Sequence, residues 1–278
     1  MMATITLNGI TREVADGTSV LEAARAAGVD IPTLCHHEAL GAYGACRVCV
    51  VWVEGPGMRP GLAAACTTVA SNGITIETDS AAVRQARKVL FGLLLGRSPD
   101  SASLRAMASR YGVESSAYGE TAAHDLCVRC GMCVRICREK IGAAAISFAG
   151  RGQSRGVSTE FGAISESCIG CGACAEACPT GMIRVEDSAG ERAILLGNQT
   201  VARIALLACA GCGAALVTEP FLDRRLQSYS PGAGQILCPD CKRKRTAAAM
   251  SSQGAWRIAA EDKHGMGRGT SNKREVSG

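Results

Sequence analysis

The sequence predicts an α+β protein built from several small domains, and three observations support that class. The 278 residues are 47 % hydrophobic but only 4 % aromatic, which argues against one large core. The chain has 33 glycines and 16 cysteines, and small domains with thin cores commonly depend on disulfides or metals. Finally, signals for both strands and helices lie close together in the first hundred residues.

Those local signals define a small mixed fold at the N-terminal end. Asn8 and Gly9 form a strong two-residue hairpin turn between two alternating stretches. Ser19 and Glu22 form a capping box that begins a helix, and Gly28 ends it. The predicted elements are the strands Thr4–Leu7, Ile10–Val14, Val48–Val53 and Ile74–Thr78 and the helix Ser19–Ala27.

The cysteines divide into four groups of four with none left over. The start, MMATITL, lacks the basic and apolar regions of a secretory signal, and the longest apolar run, Val89–Leu95, is too short to cross a bilayer. We therefore expect a cytoplasmic protein with reduced thiols that bind metal. The four groups are Cys35, Cys46, Cys49 and Cys66; Cys127, Cys130, Cys133 and Cys137; Cys168, Cys171, Cys174 and Cys178; and Cys209, Cys212, Cys238 and Cys241.

The second and third groups both follow the spacing C-x2-C-x2-C-x3-C. This is the run of bacterial ferredoxins, in which the fourth cysteine ligates the other cluster. Pro179 follows the second run as the pattern expects, but Arg138 stands at the equivalent place in the first. The alternative is a pair of zinc knuckles. The expected ligand sets are Cys127, Cys130, Cys133 and Cys178 for one [4Fe–4S] cluster, and Cys168, Cys171, Cys174 and Cys137 for the other.

The first group, spaced C-x10-C-x2-C-x16-C, lies among the strands and helix predicted above. Hairpin, helix and returning strands suit a β-grasp ferredoxin with one [2Fe–2S] cluster. His36 and His37 follow the first cysteine, and because four thiols are already present we interpret both as solvated loop residues.

The last group combines CAGCG with CPDC, the two knuckles of a zinc ribbon or of a rubredoxin. Rubredoxins surround their iron with aromatic rings, and only Phe221 and Tyr229 are available here. We therefore expect structural zinc, with a rubredoxin-type iron as the alternative. A third [4Fe–4S] cluster is a further alternative, which the wide separation of the two CxxC pairs disfavours.

Two stretches carry a family resemblance. CHHEALGAYGACRVCVVWVEG with AACTT, and DLCVRCGMCVRICREKIGAAAISFAGRG with CIGCGACAEACPTG, resemble the N-terminal part of the large iron–sulfur subunit of NADH dehydrogenases. They are also similar to the diaphorase small subunit of NAD-linked hydrogenases and to the accessory domain of iron-only hydrogenases. The resemblance covers residues 1–190.

The chain departs from that family between the two cluster regions. The family has there a cluster site with one histidine and three cysteines, but GRSPDSASLRAMASRYGV contains neither residue type. A helix precedes this segment. We expect Val83, Ala86, Leu90 and Leu93/Leu94 on its apolar stripe, with Arg84, Arg87 and Lys88 off it, and a further helical turn over Leu104, Met107, Ala108 and Tyr111.

The resemblance implies an electron-relay subunit of a multisubunit NAD(P)-linked oxidoreductase. The implied partners are an NAD(P)H-binding flavoprotein subunit and a catalytic subunit, of nickel–iron hydrogenase or molybdenum/tungsten formate dehydrogenase type. No G-x-G-x-x-G follows a strand, so we expect a non-catalytic subunit. The alternative is a redox-sensing regulator that binds nucleic acid through the basic run Lys242–Arg245. A free-standing multicluster ferredoxin is a third possibility.

The predicted organisation has five parts. They are a β-grasp [2Fe–2S] domain over 1–80, a helical linker over 81–118, a dicluster domain over 119–190, a four-cysteine zinc-ribbon or rubredoxin-like domain over 191–246, and a basic flexible tail over 247–278. The tail contains Trp256 and Ile258, which we interpret as a docking anchor.

Overall fold

A computed structural model describes residues 2–119, 126–226 and 235–262 and divides into two compact units, Met1–Ala205 and Leu206–Gly278. The first unit contains β1 (Met2–Leu7), β2 (Ile10–Ala15), α1 (Val20–Ala26), β3 (Val50–Gly55), β4 (Met58–Ala64), β5 (Thr75–Glu77), α2 (Ala81–Arg97), α3 (Ala102–Ser109), α4 (Met132–Arg135), β6 (Ser147–Ala149), β7 (Gly156–Ser158), α5 (Ala173–Glu176), β8 (Ile183–Ser188) and β9 (Glu191–Leu196). Strand β10 (Gln199–Ala208) crosses the boundary, and the second unit adds β11 (Ala215–Thr218), α6 (Glu219–Leu226) and α7 (Pro239–Asp262).

The N-terminal region is a five-stranded mixed sheet in the order β2-β1-β5-β3-β4. The predicted hairpin is confirmed: Leu7 pairs with Ile10, and Asn8 and Gly9 both have positive φ, as a tight turn between twisted strands requires. Strand β5 pairs parallel to β1 and antiparallel to β3. Strand β4 was not predicted, because its segment MRPGLAA lacks an alternating pattern and contains Pro60.

Helix α1 packs its apolar face against this sheet. The predicted capping box is present, since the Ser19 hydroxyl accepts from the Glu22 amide and the Glu22 carboxylate accepts from the Ser19 amide. The core beneath includes Leu21 of the helix with Ile5 and Ile76 of the strands, all at most 1 % exposed. This packing gives the cysteine loops that follow a rigid base.

Helix α2 differs from the prediction in which face it buries. The buried stripe contains Val83, Arg87, Phe91 and Leu95, whereas Leu93 is 50 % exposed. The prediction that Arg87 lies off the apolar stripe was therefore wrong, because its side chain enters the core and is held there by polar contacts. The turn after α2 is helical as expected: α3 buries Leu104 and Ala108, and Tyr111 stacks on Phe91 with ring centroids 5.1 Å apart.

The rest of the first unit is built from short helices and hairpins. Helices α4 and α5 each follow a cysteine loop, and α4 continues into a π-helical turn over Ile136–Ile141. Hairpin β6–β7 and the antiparallel pair β8–β9 flank them. One hydrophobic cluster joins α2, α3 and the loop before β3 to this part of the unit, and a further cluster lies within it.

The second unit pairs the end of β10 with β11 and continues into α6 and α7. The second cysteine knuckle lies at the start of α7, and the ribbon stays a prediction. Helix α7 extends to Asp262, and the flexible tail over 247–278 stays a prediction. The side chains of Trp256 and Ile258, Tyr229 and the tail beyond 262 lie outside the described residues. No helix among those described is long and apolar enough to cross a membrane.

Candidate iron–sulfur and metal sites

The first cysteine group surrounds the loop between α1 and β3. All four side chains are buried, with exposed fractions from 1 % for Cys35 to 8 % for Cys46. Cys35, Cys46 and Cys49 lie within this loop, and Cys66 follows β4. The loop turns sharply at Gly44, whose φ is +71° and where a Cβ would lie 3.1 Å from the Thr67 methyl group. A side chain there would displace the loop from the thiols.

These four thiols form two pairs. The Cys49 and Cys66 Sγ atoms are 3.5 Å apart, and the side chains of Cys35 and Cys46 are hydrogen-bonded to each other. The bond from Cys46 lowers the pKa of Cys35 to about 6, and the bond from Cys49 lowers the pKa of Cys66 to about 7. Thiolates are the ligand form of cysteine. Two thiol pairs match a two-iron cluster, in which each iron takes two cysteines.

Backbone amides also point at these sulfurs. The Cys46 amide donates to Cys35 Sγ at 3.4 Å, and the Gly44 backbone is among the influences that lower the pKa of Cys35 and of Cys66. Hydrogen bonds to sulfur tune the potential of an iron–sulfur cluster. His36 and His37, interpreted above as solvated loop residues, both have local contacts. His36 Nδ1 lies 3.4 Å from Arg25 Nη1, and His37 Nδ1 accepts from the Ala39 amide at 3.1 Å.

The second and third groups are brought together in the crossed arrangement. Two apolar cavities each contain three cysteines of one run and the last cysteine of the other. One is lined by Cys127, Cys130, Cys133 and Cys178, and the other by Cys137, Cys168, Cys171 and Cys174. These are the sets that the spacing predicts for two [4Fe–4S] clusters, and four thiols around an apolar cavity fit such a cluster. The ligation itself stays a prediction.

Left-handed glycines shape both cysteine loops. Gly131 and Gly172 precede α4 and α5 with φ near +75°. A Cβ on Gly131 would lie 3.1 Å from the Tyr43 ring and 3.4 Å from Phe148. Burial raises the pKa of Cys130 and of Cys174 to about 12. These thiols therefore become ligands only when metal displaces their protons.

Shared hydrophobic clusters connect the three sites. Cys35 and Cys46 of the first group lie in the same buried cluster as Cys130. A second cluster contains Cys133 and packs against cysteines from both dicluster cavities, namely Cys137, Cys168, Cys174 and Cys178. The paired thiols and the two cavities therefore form a continuous series through packed apolar side chains.

Arg135 ties the two iron–sulfur regions together. It lies between Cys133 and Cys137, and its Nη1 donates to the Gly41 carbonyl in the loop of the first group at 2.8 Å. Its Nε and Nη2 donate to the two carboxylate oxygens of Glu139, and its guanidinium lies 5.0 Å from the centroid of Tyr43. The residue is 9 % exposed. Sequence reasoning missed it because nothing local distinguishes it from its exposed neighbour Arg138.

The fourth group, in the second unit, is more compact than the others. The Sγ atoms of Cys209, Cys212, Cys238 and Cys241 all lie within 4.8 Å of one another. Those of Cys212 and Cys238 are 3.7 Å apart. A tetrahedral metal with bonds of about 2.3 Å places its sulfurs about 3.8 Å apart. The geometry therefore fits a single metal ion rather than a cluster.

Amide hydrogen bonds organise this site as well. Cys209 Sγ accepts from the amides of Gly211 and Cys238 at 3.4 and 3.2 Å, and Cys238 Sγ accepts from the Cys241 amide at 3.3 Å. The bond from the Cys238 amide leads the effects that lower the pKa of Cys209 to about 6. A thiolate is therefore favoured at the most buried cysteine of the group.

Two family models match the chain in the order of these sites. Residues 1–81 match the 2Fe-2S iron-sulfur cluster binding domain, and residues 126–182 and 167–218 match the 4Fe-4S dicluster domain. The chain thus combines a match to a [2Fe–2S] domain with matches to a [4Fe–4S] dicluster domain. It resembles the N-terminal part of NADH dehydrogenase large iron–sulfur subunits and related hydrogenase subunits.

Curated relatives come from both groups. The NADH-ubiquinone oxidoreductase 78 kDa subunit of Candida albicans is 31 % identical over 180 residues, which cover 56 % of this chain and 25 % of that protein. The NADP-reducing hydrogenase subunit HndD of Solidesulfovibrio fructosivorans is 32 % identical over 188 residues, covering 58 % of this chain and 32 % of that subunit. The alpha subunit of the NADPH-Fe(3+) oxidoreductase of Geobacter sulfurreducens is 30 % identical over 181 residues, covering 57 % and 21 %. The chain thus spans a third or less of these relatives.

One solved structure is also similar. A chain of the NAD+-reducing [NiFe]-hydrogenase in the H2-reduced state matches with a TM-score of 0.49 and 29 % identity, covering 56 % of this chain and 74 % of that chain.

Proposed function

We propose that the chain is an electron-relay subunit of a cytoplasmic, multisubunit NAD(P)-linked oxidoreductase. The proposed ligands are the first cysteine group for one [2Fe–2S] cluster and the two crossed groups for two [4Fe–4S] clusters. When bound, such clusters carry single electrons. The proposal assigns a β-grasp fold to residues 1–80, a linker to 81–118 and the dicluster domain to 119–190.

The observation that carries the proposal is the continuity of the buried sites. Cys35, Cys46 and Cys130 share one hydrophobic cluster, and the two dicluster cavities share the next. Electrons tunnel efficiently only over short gaps, so neighbouring redox sites must lie close together. In this proposal, the continuity of the packed sites takes the place of the family's additional histidine- and cysteine-ligated cluster in this chain.

The proposed partners lie at the two ends of this series. An NAD(P)H-binding flavoprotein subunit would exchange electrons with the two-iron end. A catalytic subunit would accept them, of nickel–iron hydrogenase or molybdenum/tungsten formate dehydrogenase type. The names of the relatives, which include an NADP-reducing hydrogenase subunit and NADH oxidoreductase subunits, support the first partner class. The chain itself would bind no organic substrate.

The fourth group is proposed to hold structural zinc. Its sulfur geometry suits a single ion, and among the described residues near it only Phe221 offers an aromatic ring in place of a rubredoxin's ring cage. A single zinc would join the β10–β11 knuckle to the start of α7. The alternative remains a rubredoxin-type iron.

The relay is tested in the purified complex with Cys130→Ser and Cys168→Ser. Each substitution removes one ligand from a different dicluster cavity, so both should abolish electron transfer from NAD(P)H to the terminal acceptor while flavin reduction by NAD(P)H continues. Ser167→Ala, at an exposed neighbour of Cys168, serves as the matched control. Full transfer activity in both cysteine variants, with their clusters demonstrably lost, would contradict the proposal.

A second candidate function is a redox-sensing regulator that binds nucleic acid, because Lys242–Arg245 are all exposed on α7. Four such residues can contact phosphates, and this binding would weaken steeply with salt. A gel shift at low salt distinguishes the candidates: the relay predicts no retardation of duplex DNA or RNA, and retardation that depends on the basic run would favour the regulator.

A further inference from the structure

Arg87 is a charged residue in the core of the first unit. It lies in the middle of α2 and is 2 % exposed. Its Nη2 donates to the Val50 carbonyl at 2.8 Å, and its Nη1 lies 3.5 Å from the Tyr111 hydroxyl. Its guanidinium carbon is 5.5 Å from the centroid of the Tyr111 ring. The third nitrogen, Nε, is buried without a hydrogen-bond partner.

These contacts leave the charge of Arg87 without a compensating anion. A carbonyl and a phenol hydroxyl are both neutral, and no carboxylate in the described part of the chain forms an ion pair with this residue. Asp79, the carboxylate that influences it, is paired with the exposed Arg84 instead. A buried unpaired charge is strongly unfavourable, so its retention in the core calls for an anion nearby.

Arg87 is connected to the proposed two-iron site through the backbone at the start of β3. Val50, which accepts its hydrogen bond, directly follows the proposed ligand Cys49 in the sequence. Burial lowers the pKa of Arg87 overall. A [2Fe–2S] cluster with four thiolates has a net negative charge, and one-electron reduction increases it.

We infer that Arg87 is the counter-charge of the two-iron site and raises the reduction potential of the cluster held there. A fixed positive charge favours the more negative, reduced form of a nearby cluster. Burial strengthens this effect, because little solvent separates the two charges. Arg87 therefore acts as a tuning residue: it contacts the strand that follows a ligand, and it need not touch the cluster. This inference rests on the [2Fe–2S] assignment proposed above.

The test compares three variants of the full chain, purified anaerobically. Arg87→Met removes the charge and keeps most of the length, Arg87→Lys keeps the charge but loses the planar fork, and Arg84→Met removes an exposed charge from the same helix. The potential of the two-iron site is measured by redox titration with EPR detection, and absorbance and circular dichroism report whether the cluster is loaded.

The expected result is a selective shift in Arg87→Met. The reduction equilibrium of its two-iron cluster should move at least tenfold toward the oxidised form, which lowers the reduction potential by about 59 mV. The potentials of Arg87→Lys and Arg84→Met should stay close to that of the parent protein. Failure of Arg87→Met to load the cluster, with normal loading of Arg87→Lys, would also support a role for the charge.

An unchanged reduction potential in Arg87→Met would overturn the inference. Equal shifts of the potential in the Met and Lys variants, or loss of the cluster in both, would also overturn it, because either result would mean that the shape of the side chain matters and its charge does not. A parent protein without any [2Fe–2S] signal would instead refute the proposed function, so the two failures are distinguishable.

Discussion

The guanidinium of Arg135 donates a 2.8 Å hydrogen bond to the carbonyl oxygen of Gly41, a residue 94 positions earlier in the chain. Gly41 belongs to the loop of the first cysteine group, and Arg135 lies between ligand candidates for the two dicluster cavities. This single contact therefore fixes the loop of one proposed redox site against the helix that carries Cys133, a ligand candidate of the next. It occurs within one compact unit.

Arg135→Gln is expected to loosen this junction. The Gly41 carbonyl loses its donor and Glu139 loses both of its hydrogen bonds, so the free energy of unfolding should fall by about 1–3 kcal/mol. Electron transfer from the two-iron site to the neighbouring [4Fe–4S] site should slow, as followed by freeze-quench EPR. Arg138→Gln, which changes an exposed residue, is the control. Equal rates and stabilities for the two variants would show that Arg135 does not hold the junction.

The crossed ligand sets predict how pairs of cysteine substitutions combine. Cys137→Ser together with Cys168→Ser changes two ligands of one site, so the chain should lose about four irons. Cys137→Ser together with Cys127→Ser changes one ligand of each site, and up to about eight irons should be lost. Iron and sulfide analysis of anaerobic samples measures the loss in each double variant. The opposite ranking would indicate that each run binds its own cluster.

Gly131→Ala should lower the free energy of unfolding for two reasons. The backbone φ of +78° is strained for alanine, and the added methyl group would press on Tyr43 at 3.1 Å. Gly181→Ala has a similar φ of +70° with no neighbour within 4 Å, and therefore isolates the strain. We expect Gly131→Ala to lower the free energy of unfolding by about 1–3 kcal/mol more than Gly181→Ala. Equal losses in denaturant titrations would mean that the contact with Tyr43 is unimportant.

Removing the metal from the fourth group should affect only the second unit. Cys238→Ser takes away a ligand at the start of α7 and the sulfur that accepts from the Cys241 amide. We expect loss of one zinc and lower helicity by circular dichroism, with the EPR signals of the first unit unchanged. Ser251→Ala, a substitution at an exposed site later in α7, should retain the metal. Loss of iron rather than zinc would identify a rubredoxin-type centre.

The sequence allowed prediction of the features that depend on local chemistry. Asn8-Gly9 and the Ser19/Glu22 box determine their own turn and cap, and cysteine spacing determines which thiols one loop can gather. Strand β4 and the burial of Arg87 were missed because both depend on distant partners. Strand β4 forms only by pairing with β3, and Arg87 is drawn inward by Val50 and Tyr111.

Contacts between residues far apart in the sequence limited what could be predicted from the sequence alone. The hydrogen bond from Arg135 to Gly41 joins two regions whose signals are independent in sequence. The extent of α7 was also missed, because a Gly-, Ser- and Lys-rich composition disfavours a packed core yet does not prevent an exposed helix. The resemblance to a known family helped where local patterns ended, since it placed the cysteine groups in order.

The most direct test of the relay account is the iron and zinc content of the anaerobically purified chain. The account predicts about ten irons and one zinc per chain, from one [2Fe–2S] cluster, two [4Fe–4S] clusters and one four-cysteine zinc site. About eleven irons without zinc would keep the relay and replace the zinc by a fourth redox centre. Much less iron together with several zincs would contradict the account.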